Sequence, residues 1–224
     1  MQTEISTAEA AQRLRVSPQR VLRMLHTELL SGRRIGRVWL VDAESVAARL
    51  QIATDAGRPW SAKTVIDIID ALSFGAPLNA RHAGLVRRVD ASGIASRLEQ
   101  SVRVKRYSTR WSERVEEFLL PTAASALDRV VSEPSRLLTA ATESLHGYLR
   151  PDINLAGVVA EARLVADPRG AIHIYELSAR PFPWTQTPPA LIAADSTMAG
   201  ATRVRSAGLD ALQQMRDRWL TSTT

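Results

Sequence analysis

The sequence predicts an α+β protein in two parts, a small N-terminal unit and a larger, mixed, mainly helical domain with a β-hairpin. Three observations carry this. Two short helical patterns, Thr7–Leu14 and Pro18–His26, are separated by only a few residues and lead into a strand-type run around Gly36. Apolar residues at helical spacing recur after Trp60 and again from Ala201 to Leu220. Between strand-like runs, Asp167-Pro168-Arg169-Gly170 places proline and glycine where a tight turn uses them. The expected boundaries are 1–52 for the first unit, 53–59 for a linker and 60–224 for the second.

The first unit reads as a winged helix-turn-helix. Ser17 stands at an N-cap and Pro18 at the first helical position. The serine oxygen satisfies an orphan N–H, and proline has no N–H to leave unpaired there. A helix that starts so sharply can present its first turn, with Gln19, Arg20 and Arg23, to a DNA groove. Ile35, Val38 and Trp39 are strand-type residues flanking Gly36, which suits the turn of a two-stranded wing. Asp42 is the expected cap of a third helix, with Val46, Ala47 and Leu50 at core spacing.

In the second part, Ser61 caps a helix whose apolar stripe is Val65, Ile66, Ile69 and Leu72, ending near Gly75. Residues 79–114 hold nine Arg or Lys against Asp90, Glu99 and Glu113. Within them Val102–Tyr107 alternates with period two and predicts a strand with one cationic face. Arg103, Lys105, Arg106 and Arg110 form a candidate second basic surface, with Trp111 beside it as a stacking platform. Helices are expected over 112–119, 122–131 and 134–146, and a hairpin from Gly157–Ala166 and Ala171–Leu177. A last helix would bury Leu209, Leu212, Met215 and Trp219.

Composition narrows the chemistry. The 224 residues carry a formal charge of +6, which favours an anionic partner. All basic residues except Lys63 and Lys105 are arginine, a bias that a GC-rich genome also produces. There is no cysteine, so disulfides, zinc–thiolate sites and a cysteine nucleophile are excluded. No apolar run reaches the roughly 18 residues of a membrane span, and no secretory leader is visible, so a cytoplasmic protein is expected. His26, His82, His146 and His173 lack metal-ligand spacing, and Asp152 and Asp195 lack an evident catalytic partner. Glu161 and Glu176 read as surface partners of Arg163 or Arg180 across the hairpin. The expectation is a protein without catalytic residues, cofactor or metal.

The order of features resembles the excisionase-type winged helix-turn-helix family, related to the DNA-binding domains of MerR-like regulators. Thr7, Ala10, Ala11, Leu14, Val16, Ser17, Val21, Leu25, Arg34-Ile35-Gly36-Arg37 and Trp39 carry the likeness over residues 3–50. The family usually has glycine before the Val-Ser step, where this chain has Arg15. Either the turn is altered or Arg15 takes the left-handed conformation under strain. The resemblance implies that Gln19, Arg20 and Arg23 face the major groove, with Ser17 near a phosphate. Arg33, Arg34 and Arg37 would reach backbone or minor groove from the wing.

Residues 60–220 resemble a group of actinobacterial regulators. The likeness rests on Gly57–Ala62, the basic strand, Phe182-Pro183-Trp184, Ala193-Ala194-Asp195 and Arg203–Gly208. Those proteins look like antitoxins encoded beside nucleotidyltransferase-type toxins, akin to the abortive-infection AbiE arrangement. Three function classes follow. In the first, the chain is a double-stranded-DNA-binding repressor, an autorepressing antitoxin with a cognate toxin, acting as a homodimer. Alternatively it is an excisionase-like architectural factor, or an interaction module that inhibits a partner without binding DNA.

Overall fold

Serine hydroxyls start the first two helices. Ser6 Oγ accepts from Glu9 N at 3.1 Å to begin α1 (Thr7–Leu14), and Ser17 Oγ accepts from Arg20 N at 3.3 Å to begin α2 (Pro18–His26). The computed structural model describes residues 4–26, 30–36, 38–51, 59–131, 144–178, 182–199 and 201–223, with Glu44, Ala48, Gln51 and Thr202 described by backbone alone. The chain divides into two units, Met1–Thr54 and Asp55–Thr224.

In the first unit, α1 ends at Arg15, whose φ of 53° and ψ of 42° are left-handed. Its N–H turns back to the α1 carbonyls, and Val16 N bonds Ala11 O at 3.0 Å. Of the two alternatives for this turn, the strained arginine is the one adopted. Strands β2 (Gly32–Ile35) and β3 (Val38–Asp42) pair antiparallel around Gly36, whose φ is +59°. A third strand, β1 (Glu4–Ser6), pairs with the other edge of β3, giving the order β1-β3-β2. Ile5, Leu14, Val21, Leu25, Val41 and Val46 build the core between this sheet and the helices. Helix α3 (Ala43–Gln51) buries only Val46 of its expected stripe, since Ala47 is exposed and Leu50 is 48% exposed.

The second unit is a helix–sheet–helix sandwich. Helices α4 (Ala62–Phe74), α5 (Ala80–Arg88) and α6 (Ala91–Glu99) are capped by Ser61, Asn79 and Asp90, each accepting from a backbone N–H three residues on. Then come β4 (Val102–Ser108), α7 (Ser112–Glu116), β5 (Leu119–Pro121), two 3-10 turns, β6 (Leu145–Leu149) and α8 (Leu155–Glu161). The chain continues through β7 (Val165–Ala166), β8 (Ile172–Leu177), α9 (Pro189–Ser196) and α10 (Thr202–Ser222). The strands form one sheet in the order β5-β6-β8-β4-β7, with β6 and β8 parallel and the other pairs antiparallel.

Alternation along the strands separates two cores. Val102, Tyr148, Tyr175 and Leu177 face the cluster built with α4, α5, α6, α9 and α10. Tyr107, Leu119, Ile172 and Ile174 face a smaller cluster with Val115 of α7 and Val158 of α8. Leu212, Met215 and Trp219 of α10 are buried as its periodicity predicts. Arg216 of the same helix donates to the carbonyls of Val86, Arg87 and Val89, closing the C-terminal end of α5.

Several sequence expectations give way here. The hairpin does not form: the first half of its first arm belongs to α8, because Asn154 caps it and Val158 with Ala162, one turn apart, bury against the sheet. The turn itself exists, with Gly170 N bonded to Asp167 O at 2.8 Å. Its flanking strands nevertheless sit on opposite edges of β4 rather than on each other. The helix expected over 112–119 stops at Glu116 and gives way to β5, and 122–131 forms 3-10 turns at Ala123–Ser125 and Leu127–Arg129. Of the helix expected over 134–146, residues 134–143 lie outside the described residues and Leu145 opens β6. Most of the expected linker also lies outside them.

Candidate nucleic-acid interface

Helix α2 carries its buried side at Val21, Met24 and Leu25. On a helix of 3.6 residues per turn, Gln19, Arg23 and His26 then fall on the opposite strip at i, i+4 and i+7. All three are exposed. Arg20 is also exposed but lies about a quarter turn round from that strip. Ser17 is committed to capping through its hydroxyl, which fixes the helix start beside Gln19.

His26 joins this strip, although the sequence singles it out only as lacking metal-ligand spacing. Its ring meets Trp39 of β3 edge-on, with centroids 5.6 Å apart. This contact ties the end of α2 to the hairpin. The i+7 spacing from Gln19 was the available signal, and it needed only the buried side of α2 to be read.

Strand alternation separates the hairpin arginines. Arg34 pairs in register with Trp39, on the sheet face that includes Val41 and Gly32. A Cβ on Gly32 would come within 2.8 Å of the Leu25 side chain, so this face looks toward α2. Arg33 pairs in register with Leu40 on the other face. There its Nε lies 2.7 Å and its second nitrogen 2.9 Å from the two carboxylate oxygens of Glu4. Arg34 is exposed on the α2 side, whereas the Arg33 charge is matched by a carboxylate. Arg37 lies outside the described residues.

The second basic surface does not assemble as one face. Arg103 and Lys105 project from one side of β4, and Arg106 shares the other side with Val102 and Val104. Lys105 Nζ is 2.9 Å from Glu176 Oε1, so a β4 lysine is a partner of Glu176. Glu161 ends α8 rather than a strand, and Arg180 lies outside the described residues. Arg106 donates to Pro168 O at 3.2 Å and keeps a buried Nε without a partner. Arg110 is exposed beyond the end of β4. The Arg163 guanidinium covers the Trp111 ring at 4.9 Å from its centroid, so one potential stacking face is occupied.

Two of the histidines, His146 and His173, and Asp195, which sequence left scattered, converge in the second unit. The parallel register of β6 and β8 places His146 beside His173, with ring centroids 4.2 Å apart. His146 Nδ1 is 3.1 Å from Tyr175 Oη, and His173 Nε2 is 3.1 Å from Gly170 O. Burial, reinforced by the Arg106 charge, lowers His146 to about 3 and His173 to about 4. Thr122 and Tyr148 donate to the two Asp195 oxygens at 2.6 and 3.1 Å. Burial pushes that carboxyl up to about 7 despite these bonds.

Among the described residues no group of three or more His, Asp or Glu is placed to hold a metal ion, and no helix is long and apolar enough to cross a membrane. No curated protein and no solved structure matches the chain. A family model described as a helix-turn-helix domain matches residues 4–51, so the unit that carries α1, α2 and the β2–β3 hairpin is a helix-turn-helix domain.

Proposed function

We propose that the chain is a sequence-specific, DNA-binding transcriptional regulator that works without catalysis or cofactor. The observation that carries this is the exposed strip of Gln19, Arg23 and His26 on α2, within the segment matched as a helix-turn-helix domain. Arginine pairs bidentately with guanine O6 and N7 and glutamine with adenine, each pair discriminating by about 1–3 kcal/mol. In this reading α2 enters the major groove with Gln19 and Arg23 on base edges and Arg20 toward one groove wall. The β2–β3 hairpin acts as the wing, with Arg34 and Arg37 on the phosphate backbone. One such unit contacts few base pairs, so two copies on paired half-sites supply the specificity.

The larger second unit favours a regulator over an architectural recombination factor, which needs little beyond the DNA-binding part. The finer reading, an autorepressing antitoxin opposing a nucleotidyltransferase-like toxin, rests on the resemblance of the C-terminal segments. Suppression by this chain of the toxicity of a neighbouring gene product is its test. For DNA binding the test is a mobility shift on the chain's own upstream region. Arg23→Ala should relax sequence preference, Arg20→Ala should do so less, and binding should weaken steeply with salt. Unchanged affinity and preference in both variants would exclude the groove assignment.

A further inference from the structure

We propose that the outer face of α5 makes a second, sequence-blind contact with the DNA phosphate backbone. Helix α5 buries His82, Ala83 and Val86 and contains no acidic residue. At about 100° per residue, Arg81, Gly84 and Arg88 fall on the opposite strip, with Arg87 at its margin. All three arginines are exposed, and among the described residues no carboxylate pairs with them. Asp67 of α4, Asp90 before α6 and Asp217 of α10 are engaged otherwise. Asp67 meets Lys63 and His82, Asp90 accepts from Gly93 N, and Asp217 meets Gln213 and Arg216.

Folding does not account for this strip. Cations steady a helix at its C-terminal end, but Arg216 already fills that end of α5 through the carbonyls of Val86, Arg87 and Val89. Arg88 instead turns back, its guanidinium 3.6 Å from where a Cβ of Gly84 would stand. Arg81 sits in the first turn, where the helix dipole disfavours a cation. Only Arg88 comes within 4 Å of the Gly84 position, so no neighbour requires glycine there, and glycine is a poor helix former. What Gly84 supplies is bare helix backbone between two guanidiniums, on which a phosphate strand can lie without meeting a side chain.

Charge and the rest of the chain select the partner. Guanidinium forks match phosphate oxygens, and a duplex offers about one phosphate charge per 1.7 Å of its axis. The contact depends on the DNA-binding reading proposed above, because the tethered helix-turn-helix domain is what holds this polyanion at high local concentration. Backbone contacts carry no sequence information, so α5 adds affinity equally on every sequence.

Fluorescence anisotropy of the full chain on its own upstream region and on a scrambled duplex, across a salt series, tests the contact. Arg81→Gln with Arg88→Gln should weaken binding to both duplexes by the same factor. The magnitude of the salt slope should fall by about 2, and the preference between duplexes should stay within about twofold of wild type. Arg129→Gln with Arg169→Gln removes the same charge from exposed positions elsewhere in the unit and should leave the slope near wild type. Gly84→Glu sets a carboxylate on the strip and should weaken binding to both duplexes, with thermal unfolding near wild type. An unchanged slope in the α5 double variant overturns the contact, and so does an equal loss in the two double variants. Vesicles of phosphatidylserine bound through Arg81 and Arg88, with the DNA slope unchanged, overturn it in favour of a membrane surface. If Arg23→Ala leaves preference unchanged while the α5 variant lowers the slope, the groove assignment falls and the α5 contact stands. Failure of the wild-type chain to bind either duplex overturns both.

Discussion

Arg33 and Glu4 form a two-point ion pair, 2.7 and 2.9 Å, from strands that flank β3 on either side. The pair is exposed, so it adds little stability by itself. Its consequence is for function, because it cancels one of the charges that the hairpin would otherwise offer to phosphate. On the proposed reading, the adjacent Arg34, on the sheet face that looks toward α2, is a hairpin side chain that meets the backbone. Arg34→Gln should lower the magnitude of the salt slope of DNA binding by about 1. The joint change Glu4→Gln with Arg33→Gln removes no net charge and should leave the slope where it was. Fluorescence anisotropy across a salt series checks both, and equal loss in the two proteins would place Arg33 on the DNA instead.

Arg15 offers a test of the turn between α1 and α2. A left-handed backbone costs a residue with a Cβ about 1–2 kcal/mol, and glycine escapes that cost while losing some chain entropy on folding. Arg15→Gly should therefore stabilise the N-terminal unit by about 1 kcal/mol. Slower native-state hydrogen exchange of the α1 and α2 amides in the full chain is the expected outcome. Faster exchange would mean that the arginine side chain supplies more than its backbone costs.

The fate of Arg15 shows what kind of information the sequence held. Local signals were legible: the Ser17-Pro18 start, the Ser61 and Gly75 ends of α4, the strand at 102–107 and the buried stripe of α10 each follow from chemistry within a few residues. Pairings between distant segments were not. Nothing near Glu4 announces Arg33, and nothing in the 157–177 run says that β4 will insert between its two strand-like halves. Valines at 158 and 159 fit a strand as well as a helix, and burial against the sheet decided in favour of the helix. The polar cluster of His146, His173, Tyr175 and Asp195 was illegible for the same reason, since it exists only once β6 and β8 lie side by side.

That cluster links stability to pH in two opposing ways. An unfolded imidazole protonates near 6.5, whereas folded His146 and His173 stay neutral down to about 3 and 4. Between about pH 4 and 6.5 the unfolded chain thus binds up to two more protons, and acidification through that window destabilises the fold. Asp195 acts the other way. Folded, it keeps its proton up to about 7, while the unfolded carboxyl loses its proton near 3.8, so raising the pH between those values destabilises the fold. Asp195→Asn removes this second contribution and preserves a partner for both Thr122 and Tyr148. Chemical denaturation at several pH values should show a gain in stability above pH 7 relative to wild type. Between pH 4 and 7 the variant's stability should rise with pH more steeply than wild type by about 1.4 kcal/mol per unit. Parallel pH curves for the two proteins would mean that Asp195 is ionised in the folded state.

Gly170 marks the point where the chain crosses the end of β4, passing from β7 on one edge of that strand to β8 on the other. The crossing brings two backbones together: a Cβ at Gly170 would lie 2.1 Å from Tyr107 O and 2.8 Å from Ser108 N. No side-chain rotation relieves such an approach, because the atoms met belong to the main chain. Gly170→Ala must therefore shift the turn or the end of β4, disturbing the Arg106–His173 and Tyr107–Ile172 pairs and the His173 bond to the Gly170 carbonyl. Overpacking of this kind costs about 1–3 kcal/mol. Gly84→Ala is the matched comparison, since the nearest atom to its added methyl is the far end of the Arg88 side chain at 3.6 Å. There the methyl replaces a mid-helix glycine and should be neutral or stabilising. Urea unfolding followed by tryptophan fluorescence should separate the two variants by more than the error of the method. Equal midpoints would show that the strand crossing has room to spare.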